Sequence, residues 1–105
     1  MKKGSFYVRV VGKDGLEYLH VDGFRFSWNG HWYGLWHKER SAWIVIDIRS
    51  GMSVIKIPNR RTLQEHLTDD LAQKLQDAYK KDFYQKVCDE LCMTIYGGKW
   101  HDEDN

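Results

Sequence analysis

Two cysteines in 105 residues are too few for a disulfide scaffold, and the pair, Cys88 and Cys92, falls in a helix-forming stretch with no second Cys pair at zinc-ligand spacing. The expected role for both is packing as small hydrophobic side chains. An excess of charge is missing too. Sixteen basic residues face fifteen acidic ones, for a net +1, which lacks the basic footprint of a general DNA coat or a membrane-surface binder. No apolar run approaches transmembrane length. The Gly4 to Val11 stretch after Met1-Lys2-Lys3 is not continuously apolar, so no signal peptide is read and a cytoplasmic location without membrane contact is expected. Proline occurs once, at Pro58, and there is no glycine-rich phosphate loop followed by a helix.

What is present is aromatic: five Trp, six Tyr and four Phe, within 42% hydrophobic residues. Residues 1–105 are enough for one domain with one real core. From 5 to 57, β-rich runs alternate with Asp14-Gly15, Asp22-Gly23, Asn29-Gly30 and Ser50-Gly51. Such dipeptides favour hairpins, because a type I′ turn needs positive φ at both central residues. Six strands follow, near 5–11, 16–21, 24–28, 31–36, 42–48 and 52–57, with an exposed charged link over 37–41. The implied pairs are Val10 with Leu19, Val21 with Phe24, Phe26 with Tyr33, and Ile46 with Ile55. They gather Phe6, Val8, Val10, Leu19, Val21, Phe24, Phe26, Trp28, Tyr33 and Leu35 on one face.

Pro58 ends the sheet, and residues 60–96 are helix-forming. Thr62 with Glu65 reads as a capping box, and Thr68-Asp69-Asp70 as a second possible helix start. Gly97-Gly98 stops the helix, and 97–105 is a polar tail. Leucines and aromatics recur every four residues, a step that drifts by roughly 40° per repeat around a helix. Leu67, Leu71, Leu75 and Ala78 would therefore face one way, and Phe83, Val87, Leu91 and Ile95 nearly the opposite way. Either the helix breaks near Lys80-Lys81-Asp82, which is the favoured reading, or its second half meets a second copy of the chain. The expected architecture is α+β: a six-strand antiparallel meander with C-terminal helices packed on one sheet face.

Strand parity places Arg25, Ser27, Trp32, Gly34 and Trp36 on the outer face. There two Trp and an Arg could form a platform for a protein partner or stacked bases, unless a helix or the N-terminal segment covers it as a second small core. His20, His31, His37 and His66 fall into no catalytic triad or metal spacing, and Arg60-Arg61, Lys80-Lys81 and Lys38 with Arg40 read as solvated charge. No catalytic residue, metal or cofactor is assigned.

The stretch Trp43-x-Val45-x-Asp47-x-x-Ser50-Gly51-Met52-x-Val54 resembles a hairpin pattern of small uncharacterised proteins from bacterial phages and mobile elements. The resemblance implies an inhibitor or regulator of a host nucleic-acid-processing complex, as anti-CRISPR and other anti-defence proteins are. The expected function is a non-enzymatic protein-binding module, with Arg25, Trp32, Trp36, Trp43 and Lys56 as binding residues and a possible homodimer through Phe83, Val87, Leu91 and Ile95. The alternative is a single-stranded nucleic-acid binder that uses an aromatic and basic sheet face.

Overall fold

A computed structural model describes residues 1–40 and 42–98. Within them the chain is α+β, a five-stranded antiparallel sheet in sequence order followed by three helices. The strands are β1 (Lys2–Gly12), β2 (Gly15–Trp28), β3 (His31–Glu39), β4 (Ala42–Asp47) and β5 (Ser53–Ile57). The helices are α1 (Leu63–His66), entered through a 3₁₀ turn at Arg60–Thr62, then α2 (Asp69–Tyr79) and α3 (Asp82–Tyr96). The polar tail expected beyond Gly98, and Ser41 in the charged link, lie outside the described residues.

The Asn29-Gly30 hairpin forms as its sequence dictates. Both residues have positive φ, 54° and 79°, and Phe26 opposes Tyr33 while Phe24 opposes Leu35. The first hairpin turns one position earlier than expected, at Lys13-Asp14 between the paired Gly12 and Gly15. Val8 therefore opposes Leu19 instead of Val21. A shift of two in register keeps Val8, Val10, Leu19 and Val21 on one side of this hairpin, as expected.

Asp22-Gly23 is not a turn, which is why there are five strands and not six. Neither residue has positive φ, and both lie inside β2, where Asp22 pairs with Ser5 and Gly23 with Gly4. Here glycine serves close approach. A Cβ on Gly23 would sit 2.3 Å from the Leu35 carbonyl oxygen, at the point where β3 meets β2. Only Phe24 and Arg25 are paired on both sides, to β1 and to β3. Because β2 runs through, its alternation never resets, and the single apolar face read from the sequence divides in two. Phe6, Val8 and Val21 join Ile46, Ile44 and Trp36 in one core. Phe26, Tyr33, Leu35, Val45 and Ile57 form the other, on the opposite face.

The sheet curls so that these two cores occupy its two sides. The Arg9 amide of β1 donates to the Gly51 carbonyl of the β4–β5 turn at 2.8 Å, bringing the first strand against the far end of the meander. Phe6 lies inside that curl. Its ring fills the space over Gly34, where a Cβ would meet three ring carbons at 2.5–2.6 Å. Burying a Phe side chain contributes about 1.5–3 kcal/mol.

The last hairpin also differs from its sequence reading. Val45 opposes Ile55 and Trp43 opposes Ile57, with a register shift between Val45 and Ile46. Ile55 and Ile57 thus share a face with Trp43, not with Ile44 and Ile46. The physical reason is a longer connection, over 48–52, organised by a buried carboxylate. Ser50 Oγ donates to Asp47 Oδ2 at 2.7 Å, and the Met52 amide donates to Ser50 Oγ at 3.1 Å.

The helices cover part of the Tyr33 face. Leu63 of α1 is buried in its core, with Leu67 and Leu75 packed alongside. Thr62 makes no side-chain cap; its hydroxyl turns back to the Asn59 carbonyl. Thr68 caps α2 by accepting from the Leu71 amide at 3.2 Å. The chain breaks at Lys80-Lys81, with Lys81 extended at φ −83°, ψ 144°. No glycine or proline is needed, because the break resets the helical phase and lets the second apolar stripe face the sheet as well. Val87, Cys88, Leu91 and Cys92 are buried on α3. Gly97 then ends α3 at φ 61°, and the Gly98 amide donates to the Cys92 carbonyl.

Gly34→Ala should lower stability by about 1–3 kcal/mol in urea unfolding, through overpacking against Phe6. A Phe6→Leu background should recover part of that loss. Full additivity of the two changes would show that the ring does not sit on Gly34.

Candidate functional site

The platform residues are largely spent on the fold. Trp36 is half-buried against Phe6, Val8 and Ile46, so the N-terminal strand covers this part of the face. Arg25 lies along Gly4, where a Cβ would meet its Cδ at 2.6 Å, and its Nη1 donates to the Ser5 carbonyl at 3.0 Å. Trp32 is half-buried opposite Ser27, and Lys56 is exposed on β5 opposite Ile44. None of these four lines either of the clefts beside Trp43. Of the four proposed for self-association, Val87 and Leu91 are buried within the chain's own core, Ile95 is half-buried and Phe83 is 61% exposed.

Trp43 is differently placed. It sits on the helix-bearing face, directly opposite His37 in the β3–β4 register, and the two rings stack at 4.3 Å with 5° between their planes. His37 is exposed and Trp43 half-buried, so the pair forms a short column with its outer ring in solvent. Phe24 lies 6.3 Å from Trp43 at a 40° tilt. The Arg60 guanidinium lies over Phe24, 4.7 Å from its centroid. Two clefts flank Trp43. One, of about 590 Å³, is lined by Phe24, His37, Lys3 and Asp22 over a floor of Gly4 and Gly23. The other, of about 470 Å³, is bounded by Asn59, Arg60 and Arg61. Asp22 is the single acid among the lining residues, against Lys3, Arg60 and Arg61.

No protein-family model, curated protein or solved structure matches this chain. No helix among the described residues is long and apolar enough to cross a membrane, and no group of three or more His, Cys, Asp or Glu among them could hold a metal ion.

Of the binding residues named from sequence, only Trp43 belongs to this surface. His37, Phe24, Arg60 and Lys3 were missed as its partners. The signal lay in parity: with β2 continuous through Gly23, Phe24, His37 and Trp43 fall on one face. Nothing local places Arg60 over Phe24, since that contact depends on how the chain turns after Pro58.

A second polar cluster lies inside the fold. Asp47 is 3% exposed, and burial pushes its carboxyl above the ordinary value near 3.8, opposed by the Ser50 hydroxyl. Tyr79 and Tyr84 pack ring to ring at 4.6 Å, and the Tyr33 and Tyr79 hydroxyls share a hydrogen bond of 2.6 Å. Burial, with the Asp47 charge next in weight, raises both Tyr79 and Tyr84. Burial likewise pushes the Cys88 thiol up to about 11. The space beside this cluster, bounded by His31, Tyr33 and Tyr79, is about 10 Å³, too small for a substrate. Asp47 therefore organises the β4–β5 turn from within.

Asp47 binds its proton more tightly folded than unfolded. The stability it contributes is fully present below about pH 4 and is lost as pH rises through the raised value. Asp47→Asn should flatten this dependence and unfold at higher denaturant than the parent at pH 7. Asp47→Ala should cost about 1–3 kcal/mol by stranding Ser50. An Asn variant less stable than the parent at pH 7 would contradict the burial argument.

Proposed function

We propose that the protein is a non-enzymatic binding module that holds an anionic partner on the two clefts flanking Trp43. The observation that carries this reading is the combination at one place of exposed aromatic surface and cationic rim. The helices leave this part of their sheet face open, while Lys3, Arg60 and Arg61 meet a single acid, Asp22. Trp and Arg dominate binding energy when they are presented together in a concave, partly desolvated setting. With a total charge of +1, attraction for an anion depends on local patches such as this one and not on the whole surface.

A second reading is a protein partner held by apolar contacts, such as an inhibitor of a nucleic-acid-processing complex would need. What supports it is the exposure of Phe83 and Met93 on α3, at 61% and 66%.

Titration with short polyanions, followed by backbone and indole NMR shifts, separates the two readings. The cleft reading expects the largest shifts at Lys3, Gly23, His37, Trp43 and Arg60. Shifts centred on Phe83 and Met93, or on Trp32 and Lys56, would overturn it.

A further inference from the structure

Resting on the cleft reading, we infer that the anionic partner is single-stranded nucleic acid, with one base stacked on the His37–Trp43 column and its flanking phosphates held by Lys3 on one side and Arg60 with Arg61 on the other.

The order of groups along the surface carries the inference. Lys3 belongs to the first cleft, Arg60 and Arg61 to the second, and Trp43 is the wall they share. A cation, a ring column and a pair of guanidinium groups therefore follow one another in space. A nucleotide within a strand presents the complementary order of phosphate, base and phosphate. The nearly parallel His37 and Trp43 rings, 5° apart, offer an exposed flat end on which a third ring can continue the stack. An acidic peptide would satisfy the cations but leave that flat ring uncovered. A free mononucleotide would use one end of the row and not the other. A duplex hides its base faces, so it cannot continue the stack.

Arginine suits the second cleft, because its planar fork binds phosphate through two parallel hydrogen bonds. Arg60 lies over Phe24, a contact that restrains its guanidinium before any ligand arrives. Reading of a particular base is not expected. Gly4 and Gly23 offer no side chain, and of the polar side chains Lys3, Ser5 and Asp22 the two charged ones are exposed, so no buried polar group selects one base edge. Affinity should therefore follow strand charge and stacking more than sequence.

The test is fluorescence anisotropy of the full chain with a labelled twelve-residue oligothymidylate, between about 50 and 200 mM salt. Two neutralised phosphates predict a slope of log K against log salt of about −1.4. Arg60→Ala with Arg61→Ala should reduce that slope to about −0.7. His37→Ala, at an exposed ring, should weaken binding by roughly five- to ten-fold with the slope unchanged, and Trp43→Phe should retain more affinity than Trp43→Ala. An abasic strand of equal charge should bind more weakly, and polyglutamate should be insensitive to His37→Ala. Absence of oligonucleotide binding at low salt, with polyglutamate still shifting the cleft residues, would overturn the nucleic-acid assignment and leave the cleft reading standing. Oligonucleotide binding indifferent to all these substitutions would overturn both.

Discussion

Phe6 rests on two glycines, and that contact seats one of the two cores into which the apolar residues divide. Its ring fills the space a Cβ would need at Gly34 and lies 3.1 Å from the corresponding position at Gly23. Any other residue at Gly34 would lift β1 off β3 and open the curl. With Phe6 seated, the β1–β2 ribbon folds over Ile46 and Ile44, and Trp36 becomes the edge of a core. The other sheet face is then free to take the helices over Tyr33, Leu35 and Val45. What remains open on that face is the corner where β2 leaves β3, and Trp43 and His37 stand there.

Much of this was legible in the chain. Asn29-Gly30 specified its turn, its register and the separation of Trp32 and Trp36 from Phe24 and Phe26, because positive φ at both positions left one hairpin geometry available. The break before Asp82 was legible as a phase conflict, since one straight helix could not bury both Leu75 and Leu91 on the same sheet. Asp22-Gly23 misled because a hairpin glycine and a close-approach glycine look identical from their neighbours. The difference lies in Leu35, twelve residues away, whose carbonyl oxygen occupies the place of a Cβ. The β4–β5 register misled for a similar reason. Ser50-Gly51 announced a turn, but its length was decided by Asp47, which takes the Ser50 hydroxyl and draws the loop out by several residues.

The binding surface was the least legible part, and the cause is physical. Its members come from β1, β2, β3, β4 and the turn into α1, and no two consecutive residues other than Arg60 and Arg61 contribute cations. Sequence reading favours contiguous platforms such as Trp32-Tyr33-Gly34-Leu35-Trp36, where alternation alone places side chains together. Here alternation was right about the face and silent about what would cover it. The covering strand was β1, whose Phe6 and Val8 carried no sign of which sheet face they would meet.

The most direct test of this account is the set of proton–proton NOEs from the Phe6 ring. Strong contacts to the α protons of Gly34 and Gly23, with the Gly34 signals moved upfield by the ring current, are the expected result. Cross-strand contacts between Val21 and Phe24 of the kind a tight Asp22-Gly23 hairpin makes, with Gly34 showing none to Phe6, would contradict it.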